Sequence, residues 1–534
     1  MHKATLAIIS ALSLFFSSQA QTLITGGQAS GTWTLAGSPY YILASVMVPA
    51  DSTLTIEPGV TVRFQGPFKL LVMGQVNAVG TETDSITFTA ADTANGWQSI
   101  RFTNTPATSD TSRFMYCRIE YGRADGSGQD NHGGAFCFEN FSKAVVSNCL
   151  ITRCRAENGG GIYCDNSHPR IIGNTLTGNV AVNVGGGICL GPGSIPVIRN
   201  NTIGWNTAIG NGGGGIFCLS DVMISNNTII YNTSHIYGGG GIMANGCSPE
   251  IIANTISNNK APFGGGVACH GGDPNLVNNT ITNNTADDGG GVVCVIGSEA
   301  TLTNNTISNN SALFGGALYC EGSSSPVLRN TILWGNMGTL GGIEVYLEDE
   351  GSDPDFYHCD VRGGTEAFGL NFNLYTGVYE DNLNAHPLFV SPSGGSGTGF
   401  NGAVADWSLQ GISPCINAGD PDGIYPPLDK AGNPRIMDGV IDLGAFEYPW
   451  PVGTGPGKSR DALLLFPNPA GDHIVVDTPE HSRMELLDIQ GQVIRTIVAE
   501  PPHTVIFTGD LPAGAYLVRA VSGPGFVTGR FLKR

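Results

Sequence analysis

The chain has 534 residues, of which 13% are charged and 77 are glycine, a composition that suits stacked β-structure better than helix. Lysine and arginine number 25 against 44 aspartates and glutamates, a net charge of −19. That balance excludes the basic face on which nucleic-acid binding depends and implies an acidic, solubilising surface.

Residues 1–20 have the pattern of a secretory signal. His2 and Lys3 precede an apolar run from Ala4 to Phe16, and Ser18-Gln19-Ala20 stands before Gln21. The run is too short to span a membrane. No cysteine follows the expected cleavage site, so a lipid anchor is not indicated, and no other long apolar run suggests a transmembrane segment. An exported, soluble protein is expected.

Residues 21–116 alternate irregularly. Thr53–Phe64 keeps a period of two on either side of a Pro58-Gly59 corner, and Leu70–Gly74, Ser85–Thr89 and Gly96–Phe102 follow as short strands. The stretch from Gly31 through Trp33 to Tyr41 is the candidate cap of the first coil.

From 117 to 343 one unit recurs. The apolar residue after Asn-Thr falls at Leu176, Ile203, Ile229, Ile256, Ile281, Ile307 and Ile332, at spacings of 25 to 27. The apolar residue closing each glycine run falls at Phe136, Ile162, Ile188, Ile216, Ile242, Val267, Val292, Leu318 and Ile343, at spacings of 25 to 28. Two markers with one period establish a repeat. Glycine and asparagine are poor helix formers, and each unit holds three short apolar runs separated by Gly, Asn or Pro corners. Such a unit buries its apolar residues only against a copy of itself. The expected fold is all-β: a right-handed parallel β-helix of about eleven or twelve coils at the inter-strand spacing.

Asparagine columns support the stacking. One runs Asn174, Asn201, Asn227, Asn254, Asn279, Asn305, Asn330; the other runs Asn179, Asn206, Asn232, Asn259, Asn284, Asn310. Stacked amides hydrogen-bond along a column and satisfy corner backbone groups. Cys164, Cys218, Cys269, Cys294 and Cys320 form a third column, broken by Leu190 and Ala244, as expected of core filling. Thirteen cysteines in an oxidising compartment leave at least one unpaired within the chain. Stacked pairs on neighbouring coils lie within disulfide range.

Residues 344–448 leave the period. Ser413-Pro414-Cys415-Ile416-Asn417-Ala418-Gly419, Gly432-Asn433-Pro434-Arg435 and Asp442-Leu443-Gly444-Ala445-Phe446-Glu447 resemble the closing segment of secreted bacterial β-helix proteins, which implies a C-terminal cap. Residues 449–460 form a Pro/Gly linker. The tail, 461–534, carries evenly spaced short strands that suggest a small antiparallel β-sandwich.

The tail resembles the C-terminal sorting domain of the type IX secretion system of Bacteroidota-like bacteria. The residues that carry the likeness include Pro467, Asn468 and Pro469, Asp488 and Gly491, and Leu511, Gly514 and Tyr516. The resemblance implies recognition by the type IX machinery, passage through the periplasm and outer membrane, removal of the tail, and release or surface attachment. The repeats are similar to right-handed β-helix repeats, and their Gly-Gly-apolar pairs to polymorphic outer-membrane proteins.

Function is less defined. Polygalacturonase-like hydrolysis needs paired carboxylates; Asp287-Asp288 and Cys269-His270-Gly271 stand in the wrong order for that family. Lyase-like elimination needs a strong base, for which Lys260 is the candidate. No known catalytic order is present, so no catalytic residue is assigned. The acidic run Glu348-Asp349-Glu350 with Asp353 and Asp355 lacks EF-hand spacing, so no metal ligand is assigned and calcium stays an alternative. Trp205 and Tyr231 share one column, and Tyr237 and Phe263 another, as stacked rings for sugar faces or as corner packing. Adhesion or glycan binding at a repetitive surface is the leading expectation. Cleavage of acidic polysaccharide and a structural surface-layer role are the alternatives.

Overall fold

The computed structural model describes residues 21–448 except 104, 424, 437 and 438, and residues 463–533 except 464, 467–468, 478–482, 489–491, 499–502 and 523–524. The predicted signal and linker lie outside the described residues. The chain divides into two compact units, Met1–Pro449 and Trp450–Arg534.

The first unit is a parallel β-solenoid with three long sheets. Sheet one runs from Thr22–Ile24 to Asp360–Val361 with 14 strands, sheet two from Gly27–Gln28 to Val345–Leu347 with 13, and sheet three from Gly31–Trp33 to Tyr379–Glu380 with 14. The stack is longer than the sequence suggests because residues 22–33, part of which was expected to be a cap, already form a strand in each sheet. A short fourth sheet, Arg123–Ala124, Arg155–Asn158, Val180–Val184, Thr207–Ala208 and Thr233–Ser234, lies between sheets one and two.

At inward positions of the long sheets apolar residues stack on apolar residues. In sheet one Ile203, Ile229, Ile256, Ile281 and Ile307 are register partners in turn, and each is fully buried. Burying such a side chain contributes about 1.5–3 kcal/mol. The cysteine column is equally regular: Cys164, Leu190, Cys218, Ala244, Cys269, Cys294 and Cys320 pair in order. All thirteen cysteines are free and buried. Burial holds Cys164 and Cys218 well above the ordinary thiol range, so they are apolar filler.

The asparagines explain why each coil turns where it does. The backbone N–H of Asn232 donates to Asn259 Oδ1 at 2.9 Å, its Nδ2 donates to the same oxygen at 3.0 Å, and Nδ2 also donates to Ile203 O at 2.8 Å. One side chain thus satisfies a corner carbonyl, and its neighbour's amide oxygen takes two donors. Aspartate lacks the donors and leucine lacks everything.

Two of the sequence markers are out of register in the final regular coils. Ile307 pairs with Leu333, and Asn305 N–H donates to Thr331 Oγ1, so Thr331 and not Asn330 ends the first ladder. Asn330 occupies the left-handed corner position at φ 49°. The same Asn-Thr-Ile tripeptide therefore sits one residue earlier than its copies, with Ile332 facing outward yet buried. Likewise Leu318 pairs with Val345 rather than aligning with Ile343, and one extra residue between Gly338 and Gly341 bulges the chain there. That bulge turns Glu344 inward, where it accepts from the N–H and Nδ2 of Asn336 and ends the second ladder.

The segment expected to be one cap does two jobs. Phe368, Tyr375 and Tyr379 pack around Phe356 beyond the last full coil. Residues 386–448 form a strap along the outer face of sheet one. Phe389, Trp407, Leu409 and Leu443 bury Ile332. Arg435, fully buried, donates to Glu447 at 2.7 Å and to Asn278 at 2.7 Å, and Asn330 exchanges hydrogen bonds with Asp420. The closing-segment motifs supply Arg435, Leu443 and Glu447, and within them Asn417 N–H donates to Asp442 at 2.7 Å.

The second unit is antiparallel. A three-stranded sheet (Leu465–Phe466, His473–Asp477, His503–Phe507) and a four-stranded sheet (Arg483–Leu487, Val493–Val498, Gly514–Ser522, Gly525–Lys533) share a core of Ile474, Val476, Ile506, Met484, Leu486, Val518 and Phe531.

Candidate functional site

Each coil from the Cys117–Glu120 strand to the Ile332–Trp334 strand leaves sheet one through a single left-handed residue. In chain order this corner column holds Tyr121, Arg153, Gly178, Trp205, Tyr231, Asn258, Asn283, Asn309 and Gly335, at φ between 54° and 75°. The next residue turns inward to the second ladder, so the corner side chain is aimed outward. Most members are asparagine or glycine, which tolerate this conformation. Trp205 and Tyr231 do not prefer it, and there the outward side chain is a large ring.

The two rings stack with centroids 4.9 Å apart and planes at 13°. Trp205 is 56% exposed. The strap stops short of them: Asn258 binds Phe400 O, Asn283 donates to Gly395 O, and Asn309 to Ser393 O. The corner column is therefore covered from Asn258 onward, and the Trp205–Tyr231 stack lies at the edge of that cover.

Tyr237 and Phe263 occupy a different corner, ahead of sheet two. Their rings are 5.5 Å apart and tilted by 42°. They line a cavity of about 250 Å³ together with Met243, Ala268, His270 and Glu321. Its floor is the outward stripe of sheet two, in which Phe217, Met243, Ala268, Val293, Tyr319 and Tyr346 are buried. His270 shares a hydrogen bond with Asn245 at 2.9 Å. Burial, then the neighbouring charges of Asp287, Glu321 and Glu348, push the nearby Asp288 carboxyl up to about 6. The structure brings each predicted pair together as a pair, but on separate corners. Met243, Ala268 and Val293, which line the cavity beside that pair, were overlooked in the sequence. Their signal is the residue after each glycine-run closer, which is apolar or aromatic (Phe217, Met243, Val293, Tyr319) where an outward strand position is usually polar.

Among the described residues no three His, Cys, Asp or Glu side chains converge as a metal site. The acidic run is used otherwise. Asp349 accepts from Ser323 and Gly351 N–H groups, Asp353 from Thr376, and Asp355 from Val378. Lys260 lies in the continuation of the fourth sheet, bridged to Thr233 and Thr285.

In the tail, Pro467, Asn468 and Gly491 lie outside the described residues. Pro469 is exposed. Asp488 accepts from Gln492 N–H at 2.9 Å. Leu511 packs against the tail's core, Gly514 starts a strand, and Tyr516 stacks on Phe531 at 5.6 Å and donates to Pro512 O at 2.9 Å.

The solenoid fits a family description. The model for the right-handed β-helix region matches residues 98–286, 160–332 and 241–384, so the chain belongs to the right-handed β-helix family. Residues 464–534 match the secretion system C-terminal sorting domain, which makes this a secreted β-helix protein with a type IX sorting tail. That tail indicates export to the cell surface or extracellular space. No helix among the described residues is long and apolar enough to cross a membrane. No curated protein matches the chain.

Proposed function

We propose that the solenoid is a glycan-binding adhesion module and that the Trp205–Tyr231 stack is its contact with sugar. The observation that carries this reading is a stacked, near-parallel pair of rings, Trp205 exposed and Tyr231 half-buried, at positions where every coil from Asn258 to Asn309 instead has an asparagine under the strap. Stacked aromatic faces bind sugar rings with little loss of side-chain freedom. The cavity at Tyr237 and Phe263 is a second aromatic-walled place for a sugar or an apolar substituent.

A glycan array probed with the purified protein tests this. Wild type is expected to retain a defined glycan class, and the Trp205→Ala/Tyr231→Ala double variant to lose it while melting within a degree or two of wild type, as exposed positions do. Retained binding in the double variant contradicts the assignment. Release of unsaturated sugars or new reducing ends from the bound glycan would favour the cleavage reading instead.

A further inference from the structure

The corner column has a gap beside the stack. Thr152, Thr177 and Gly204 are register partners on successive coils, so the residues that follow them, Arg153, Gly178 and Trp205, succeed one another in the column. Arg153 lies against Tyr121, its guanidinium carbon 5.6 Å from the ring centre. Trp205 lies against Tyr231. Between these two-layer stacks stands Gly178, with no side chain. A Cβ there would meet nothing closer than Thr152 Oγ1 at 4.0 Å. Arg153 and Trp205 are two strand spacings apart, about 9.6 Å, which leaves room for one ring layer about 4.8 Å from each. The Trp205–Tyr231 spacing of 4.9 Å shows that this column stacks rings at that interval.

Charge gives the gap a preference. Arg118 and Arg123 are held by Glu120 and Asp125, whereas Arg153 and Arg155 have no carboxylate partner among the described residues. In a chain of net charge −19 this is a local cationic edge beside an aromatic face. We propose that the gap over Gly178 is a subsite for a single anionic sugar unit, stacked on the free face of Trp205 with its carboxylate or sulfate on Arg153. Guanidinium recognises both groups well. This rests on the reading of Trp205–Tyr231 as a sugar contact and adds the class of sugar.

Glycine is not required at 178 by the fold. Its φ is +65°, but the same corner accepts Trp, Tyr, Arg and Asn at φ of 54° to 59°. Gly178→Asn therefore fills the gap with a residue the column already uses, and its melting temperature should match wild type. Titration calorimetry on the full-length protein would compare a hexauronate with its carboxyl-reduced neutral form. Wild type is expected to bind the hexauronate at least ten-fold more tightly. Gly178→Asn and Arg153→Gln should each weaken hexauronate binding at least ten-fold, and Trp205→Ala should abolish it. If the neutral form binds equally well and is lost on Trp205→Ala but not on Gly178→Asn or Arg153→Gln, the subsite is wrong and the glycan reading stands. Binding of either sugar that persists in Trp205→Ala overturns both, and no binding of either overturns the subsite, the glycan reading being decided by the array.

Discussion

Glu344 shows how much one side chain decides in a stack of copies. Its carboxylate replaces the next asparagine amide, accepting from Asn336 N–H at 3.3 Å and Nδ2 at 2.6 Å. Burial raises its pKa to about 7, against the opposing pull of Asn336 and Arg362. The folded value lies above the unfolded one, so the stability it contributes is full below about pH 4.5 and is lost as pH rises through 7. A displacement of that size corresponds to roughly 3 kcal/mol at most. Denaturation midpoints measured at pH 5 and pH 8 should fall more for wild type than for Glu344→Gln; equal falls would show that Glu344 does not titrate in this window. The ladders themselves were legible from Asn spacing alone, but Glu344 was not. It enters the column through a bulge near 341, and the glycine-run marker placed Ile343 where Val345 belongs.

At the scale of elements, the three strands per coil were legible because each repeats an apolar residue in a fixed register. The strap was not, since its contacts link residues far apart in the chain: Lys430 to Ala253, Arg435 to Asn278, Gly402 to Asn258. Nor could spacing show that Asn330-Thr331-Ile332 shifts by one residue, because Ile332 is accommodated outside only by the strap that covers it. The two aromatic pairs were legible as columns, but not which corner each occupies. The buried Arg435–Glu447 pair at 2.7 Å is the strap's clasp. Arg435→Met leaves Glu447 without its partner and should cost about 3–5 kcal/mol. Hydrogen exchange should then quicken in 386–448 while the inner strands of sheets two and three stay protected; uniform loss of protection would show that strap and solenoid open together.

On the scale of the whole molecule, a solenoid with a 13-strand sheet two carries a sorting tail with its own core. We propose that the tail is needed only for export, so a chain ending at Gly457 should fold and accumulate in the periplasm of its host. The full chain should appear outside the cell without a tag placed after Arg534; an exported truncated chain would contradict this. What the exported solenoid does is tested most directly by hydroxyl-radical footprinting of the full chain, with and without the glycan it retains on the array. The account predicts protection centred on Trp205 and Tyr231. Unchanged labelling of both rings, with protection elsewhere on the solenoid, would contradict it.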